Sequence, residues 1–250
     1  MKEIIAISNQ KGGVGKSTTA NALGAGLFHK GYKVLYVDMD AQANLSYSMG
    51  VNNRAISSLE VLTGKAVAKE AIVTTAQGDL IPASPALASA DLLITEVGKE
   101  YRLKEALEFI QKDYDYIILD CPPALGILTV NALTACNSVL IPAQADIYSL
   151  QGIGQLIKTL HTVKKYCNRE LSIKGLVVTR YNARTVLSRD MTELLEDTAK
   201  QLQTKLYQTK IRECTAIKEA QASKQDIFSY APKSNATADY TSLIEEIIGK

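Results

Sequence analysis

The segment that most constrains this chain is Lys11-Gly12-Gly13-Val14-Gly15-Lys16-Ser17-Thr18, which follows a short apolar run and precedes a stretch of helical period. Residues 2–8 (Lys-Glu-Ile-Ile-Ala-Ile-Ser) predict a strand. Residues 18–30 predict a helix closed by Gly31. Three glycines in four residues let the backbone curl so that successive N–H groups point inward. At a helix N-terminus, which carries partial positive charge, such a concavity holds phosphate oxygens. Lys16 is placed to reach the outer phosphates of a nucleotide, and the Ser17 hydroxyl to ligate Mg2+. A Gly-rich turn with a chance lysine has no reason to bring strand, loop, helix and Lys-Ser-Thr into register.

Further apolar runs repeat the pattern. Residues 33–37 (Lys-Val-Leu-Tyr-Val) lead into Asp38 and Asp40, residues 116–119 (Tyr-Ile-Ile-Leu) end at Asp120, and 138–141 and 175–179 follow. Strands apolar on both faces, alternating with helical stretches, predict an α/β fold with a doubly wound, mostly parallel sheet flanked by helices. Pro82, Pro85, Pro122, Pro123, Pro142 and Pro232 read as loop markers. No long Gly/Ser/Pro linker and no internal repeat interrupts the chain, so residues 1–250 read as a single domain.

Composition excludes several classes. With 250 residues, 46% hydrophobic and 22% charged, and a net charge of +2, the chain has a core's worth of apolar side chains and too little net charge for disorder. No run approaches the ~18 apolar residues of a membrane span. The apolar run after Met1-Lys2-Glu3 is too short for a signal-peptide core, and a cytoplasmic location is expected. Cys121, Cys136, Cys167 and Cys214 form no Cys-x-x-Cys pair and have no histidine close by, so reduced, mostly buried thiols are expected instead of zinc or redox chemistry.

Three carboxylates sit where the chemistry needs them. The spacing of Asp38 and Asp40 puts both on one face if the strand stays extended. Asp120 closes Ile118-Leu119-Asp120-Cys121-Pro122-Pro123. In open parallel sheets the ligand crevice lies at the C-terminal strand ends, so all three belong beside the phosphate loop. A carboxylate at a strand end also serves as a helix cap or turn residue, and each of the three is open to that use.

The loop departs from Gly-x-x-x-x-Gly-Lys-Ser. Gln10 stands where the first glycine is required, and a second lysine, Lys11, precedes the glycines. This resembles the deviant Walker A motif of the ParA/MinD family of dimerising P-loop ATPases. The resemblance implies the P-loop NTPase fold, with Lys11, Gly12, Gly13, Val14, Gly15, Lys16, Ser17 and Thr18 around Mg-ATP. It implies that Lys11 reaches across a homodimer interface to the partner's nucleotide. Two such loops facing each other repel until phosphates neutralise them, which makes that role physically sensible. Asp120 looks like the family's Walker B acid, holding Mg2+ with Ser17 through water. The Asp38-Met39-Asp40-Ala41-Gln42 segment resembles the Walker A′ segment. That likeness gives Asp40 the attacking water, as a catalytic residue beside Lys11 and Lys16, and gives Asp38 a supporting place near the metal.

The likeness continues through most of the chain. Pro142-Ala143-Gln144-Ala145-Asp146 to Gly152-Ile153 is similar to the family's strand-loop-helix after Walker B. Thr179-Arg180-Tyr181-Asn182 looks like its base-side strand end, and Tyr230-Ala231-Pro232-Lys233-Ser234 resembles its Tyr-Asp-Pro-Lys-Ser, with Ala231 at the Asp. Arg180 and Pro232 are therefore expected at the base. A GTPase of this class carries Asn/Thr-Lys-x-Asp. No such motif occurs, since Thr204-Lys205 runs into Leu206-Tyr207, and ATP is expected.

Charge bears on which branch of the family this is. Residues 1–120 carry 12 basic and 14 acidic side chains, and residues 121–250 carry 16 and 12. The second half includes Lys205, Lys210, Arg212, Lys218 and Lys224, around a segment resembling one that the ParA branch uses near its DNA face. Such a balance suits a polyanion and equally a solvated helix face. The tail Leu243-Ile244-Glu245-Glu246-Ile247-Ile248 has an apolar stripe, but acidic neighbours argue against a membrane helix. The loop begins so near the start that no N-terminal helix-turn-helix is expected. The resemblance thus implies a slow ATPase that dimerises with ATP, binds DNA non-specifically, associates with the nucleoid and answers to a centromere-binding (ParB-type) partner. The alternative is a MinD-like positioning ATPase acting on a membrane or a protein cargo.

Overall fold

The computed structural model describes residues 3–52 and 54–249. Its framework is one seven-stranded sheet in the order β3-β4-β2-β5-β1-β6-β7. The strands are β1 (Glu3–Ile7), β2 (Val34–Asp38), β3 (Val73–Thr75), β4 (Gly78–Ile81), β5 (Tyr116–Asp120), β6 (Ser138–Gln144) and β7 (Ser172–Thr179). All pairings are parallel except β3 with β4, which form an antiparallel edge hairpin. The expected strand beginning at Lys2 is borne out from Glu3 onward, and Lys2 itself lies outside the described residues.

Alternation along each strand builds two cores. Ile4 and Ala6 of β1, Leu35 and Val37 of β2, and Ile117 and Leu119 of β5 point to one face. Ile5, Ile7, Tyr36, Tyr116 and Ile118 point to the other. The first face is covered by α3 (Ser58–Leu62), α4 (Ala68–Ala71), α5 (Ala90–Leu93), α6 (Arg102–Glu108), α7 (Ile127–Ala135), α8 (Ile147–Tyr166) and α9 (Val186–Gln201). The second is covered by α1 (Lys16–His29), α2 (Asn44–Ser48), α10 (Thr215–Ala222), α11 (Ile227–Tyr230) and α12 (Asn235–Ile248).

Helix α1 is buried on nearly all sides because the sheet lies under it and α12 lies against it. Small residues permit this. A Cβ on Gly24 would sit 2.2 Å from the Tyr36 ring. Gly31, at φ +86°, ends the helix as the C′ residue expected of it. The tail stripe is occupied in the same way: Tyr240, Leu243 and Ile244 of α12 are buried in the second core. No described helix is long and apolar enough to cross a membrane.

Two expectations are corrected. Pro142 lies inside β6, paired with Val177, and not in a loop. Pairing of β1 with β6 ends at Leu140, so the N–H that proline lacks would have faced past the end of the ladder. The second strand does not stay extended to Asp40. It ends at Asp38, whose Oδ1 accepts the Asp40 N–H at 3.1 Å and turns the chain.

Candidate functional site

Strand β1 lies mid-sheet. The chain leaves it toward β2 on one side, and it returns from β5 across to β6 on the other. The C-terminal end of β1 is therefore the point where the crossovers diverge, and the loop 8–15 sits there. Gly13 and Gly15 have φ of +75° and +83°, left-handed values that other residues adopt at a cost. Gly15 caps α1, accepting the Thr19 N–H at 2.8 Å. Val14 is buried, and its carbonyl accepts the Thr179 hydroxyl at 2.8 Å, which ties the loop to the end of β7.

Lys16 is buried, with Nζ donating to the Lys11 carbonyl at 3.1 Å. Burial lowers its pKa, partly offset by the charges of Asp120 and Asp40. Lys11 points elsewhere. Its ammonium donates to Gln144 Oε1 at 3.0 Å and forms an ion pair with Asp146, while Gln144 Nε2 donates to the Gly13 carbonyl at 3.1 Å. Asp146 also caps α8 by accepting the Ser149 N–H at 2.9 Å. Burial raises the Asp146 pKa, but the hydrogen bond from Lys11 and the Ser149 amide outweigh it and leave it lowered.

The three carboxylates have distinct environments. Asp38 and Asp120 are register partners at the ends of adjacent β2 and β5, and both are fully buried. Asp38 is hydrogen-bonded: its Oδ2 accepts the Ser46 N–H at 2.9 Å and hydroxyl at 2.7 Å, which anchors α2. Burial nevertheless pushes its pKa up to about 6. Both oxygens of Asp120 have no hydrogen-bond partner among the described residues. Burial, then the neighbouring Asp38 charge, raises its pKa strongly. A buried carboxylate without a close hydrogen-bond partner is costly, and the Ser17 hydroxyl and the Lys16 charge, which favour its ionised form, offset only part of that cost. That chemistry fits a hard divalent cation. No described group of three His, Cys, Asp or Glu residues could hold a metal, so such an ion would take most of its ligands from water and phosphate, as Mg2+ does.

Asp40 lines a cavity of about 620 Å3 together with Gly12, Gly13, Lys16, Ser17 and Thr18, and its Oδ1 accepts the Gln42 N–H at 3.0 Å. A second cavity of about 310 Å3 continues from it beside Thr179, Arg180, Cys214 and Tyr240. Arg180 adopts a φ of +50° and pairs with Glu213 at 2.8 Å. Pro232 lines neither cavity; its segment makes the turn into α12.

The basic residues named from sequence scatter. Lys205 and Lys210 line a groove outside β7, with their ammonium groups over the rings of Tyr207 and Tyr181. The Arg212 guanidinium is held by Asp239, with Nη2 to Oδ1 at 2.6 Å and Nε to Oδ2 at 3.0 Å. Lys218 lines both cavities at the phosphate loop, and Lys224 lies over the Tyr47 ring. Gln144, Asp146 and Gln221 were given no role by sequence reasoning, although the first two lie in a segment singled out there. Gln221 Nε2 donates to the Thr18 hydroxyl at 3.1 Å.

Comparison with known proteins agrees with this geometry. Residues 2–173 match the family model described as an AAA domain. The chain is 41% identical over 252 residues to the sporulation initiation inhibitor protein Soj of Bacillus subtilis, covering 99% of this chain and 98% of that protein. It is 36% identical to the chromosome partitioning protein ParA of Caulobacter vibrioides, covering 99% and 94%. The solved structure of cobyrinic acid a,c-diamide synthase from Mycobacterium smegmatis, with bound ATP analogue and magnesium, superposes with a TM-score of 0.86 at 33% identity over 99% of this chain and 95% of that one. A glycine loop with two lysines, an unpartnered carboxylate beneath it and near full-length kinship to Soj and ParA converge: the chain belongs to the ParA/MinD family of P-loop ATPases.

Proposed function

We propose that this protein is a partition ATPase that binds Mg-ATP, dimerises on it, holds DNA without regard to sequence while dimeric, and lets go after hydrolysis. The observation that carries the reading is the pair of lysines on one loop. Lys16 is packed inside the nucleotide cavity, whereas Lys11 lines neither cavity and is held outside by an ion pair that can be exchanged for a phosphate.

The amides of Gly12 to Thr18 and the Lys16 ammonium receive the phosphates. Ser17 and Asp120 would hold Mg2+, which draws charge from the phosphate oxygens when bound. Asp40, at the cavity wall, orients the attacking water and takes its proton as the oxygen bonds to the γ-phosphorus and the bond to the bridging oxygen of ADP breaks. The Lys11 of a second copy would neutralise charge on the transferring phosphoryl group, so turnover is slow in the isolated chain. A centromere-binding partner then acts by favouring the closed pair.

Retention on DNA tests this reading. A dimer doubles the phosphate contacts of one chain, so random-sequence duplex binding, followed by fluorescence anisotropy, should be much tighter with ATP than with ADP. It should fall by about 0.9 log units per phosphate contact per decade of salt. Lys205→Ala with Lys210→Ala should weaken it without changing ATP affinity. Equal binding with ATP and ADP overturns the DNA reading in favour of a positioning ATPase. ADP formation that depends on an added carboxylate substrate and ammonia would instead favour an amide-forming activity like that named for the Mycobacterium smegmatis structure.

A further inference from the structure

The two cavities at the loop are one groove with a saddle. They share Gly13, Gly15 and Thr18 from the loop side, and from the facing side only Lys218 and Gln221 of α10. Lys218 and Gln221 are three residues apart on the helix and so share a face. The Gln221 side-chain amide bonds the Thr18 hydroxyl at 3.1 Å and docks that face onto the first turn of α1. Of the other cations lining the two cavities, Arg180 is neutralised by Glu213 and Arg212 by Asp239, while Lys16 is buried with its ammonium on the Lys11 carbonyl. No ion pair among the described residues involves Lys218, which is exposed to the groove.

We propose that Lys218 is a nucleotide-binding residue that holds the α-phosphate of the bound nucleotide, rather than a DNA-contacting one. The inference rests on the Mg-ATP reading of the loop. A nucleotide with its outer phosphates on Gly12 to Thr18 and its base beside Thr179 and Arg180 must cross the saddle between the cavities. Its α-phosphate and sugar then pass under α10. A lysine is suited to this place, because its ammonium is a compact charge on a flexible stem and needs no fixed donor geometry. The α-phosphate is common to ATP and ADP. Lys218 therefore supplies affinity for both and discriminates neither, leaving the distinction to Lys16, Lys11 and the metal at the outer phosphates. Helix α10 also carries Gln221, so it is fastened to nucleotide and loop together.

The test is calorimetric titration of the full chain with ATP, ADP and adenosine in the presence of Mg2+, for the parent, Lys218→Gln and Lys218→Arg. Lys218→Gln should weaken ATP and ADP by the same factor, about tenfold at low salt, and leave adenosine unaffected. Lys218→Arg should restore most of the loss. The side chain is exposed, so thermal unfolding of the ligand-free variants should match the parent. At saturating ATP, duplex DNA binding by Lys218→Gln should equal that of the parent. Unchanged nucleotide affinity in Lys218→Gln, or DNA binding lost at saturating ATP, overturns the assignment. A parent that binds no ATP overturns the reading of the loop itself, which separates the two failures.

Discussion

The Lys11 ammonium is bound within its own chain to Asp146, 135 residues away, with Gln144 as a second acceptor. Both side chains of the ion pair are largely covered, at 22% and 28% exposure. On the proposed reading, a lysine that reaches a second copy's nucleotide must first leave this site, so the pair would oppose dimerisation. Partly exposed pairs are worth about 1 kcal/mol, or roughly fivefold in an equilibrium. Asp146→Asn keeps an oxygen to cap α8 but removes the charge. Its half-maximal ATP concentration for dimer formation, read by sedimentation velocity, should fall by about that factor. Lys11→Ala should bind ATP and remain monomeric.

Asp40 stands at the wall of the cavity beside the glycine loop, and its carboxylate accepts a local hydrogen bond from the Gln42 amide. Removing the carboxylate takes nothing from the phosphates. Asp40→Ala should retain ATP affinity within about twofold and lose turnover by about 100-fold or more, the usual worth of a positioned base. ATP-loaded dimer should accumulate on size-exclusion chromatography. A variant that turns over normally would move the water-orienting role to another group.

The loop and the strand-end acids were legible because their signals are local. Glycines at 13 and 15 answer a backbone demand in place, and each apolar run displays its own burial. What stayed hidden depends on partners far along the chain. Pro142 is tolerated in β6 only because β1 stops short of it, a property of register. The Lys11–Asp146 and Thr18–Gln221 contacts join residues 135 and 203 positions apart, and nothing near either one announces the other. Asp38 and Asp120 each close an apolar run, and the sequence alone does not show how their surroundings differ. Ser46 makes them differ, because it satisfies the first and leaves the second bare.

That bare carboxylate sets function against stability. Both Asp120 oxygens are buried without a hydrogen-bond donor, and burial raises the pKa strongly. Leaving such a group unsatisfied costs about 1–3 kcal/mol, more when it is charged. Asp120→Asn has nearly the same shape and no charge. Without nucleotide it should melt several degrees above the parent at neutral pH, at roughly 2–4 °C per kcal/mol for a chain of this size. With Mg-ATP the order should reverse, because the parent gains stability from ligand and the variant gains little. Differential scanning fluorimetry with and without Mg-ATP reads both halves. A variant less stable than the parent in the absence of ligand contradicts the account.

The last prediction concerns how α12 is fastened to the segment bearing Lys205 and Lys210. Glu246 accepts the Gln208 N–H at 3.0 Å, the Thr209 N–H at 2.8 Å and the Thr209 hydroxyl. Burial raises its pKa, but the Thr209 and Gln208 hydrogen bonds outweigh that, and the group ends below its ordinary value of 4.5. A carboxylate whose folded pKa is depressed binds fewer protons in the folded state. It therefore stabilises the fold fully above the unfolded pKa, and the gain is lost as pH falls through the folded one. Glu246→Gln should accordingly cost about 1 kcal/mol at pH 7, the low end for charge-assisted bonds because the side chain is only partly buried. The deficit relative to the parent should shrink as the pH drops below about 4.5 and fade under more acid conditions. Urea unfolding of the two proteins across that range measures it. A deficit that stays constant with pH would mean that the carboxylate charge contributes nothing and that shape alone holds α12 to residues 208–209.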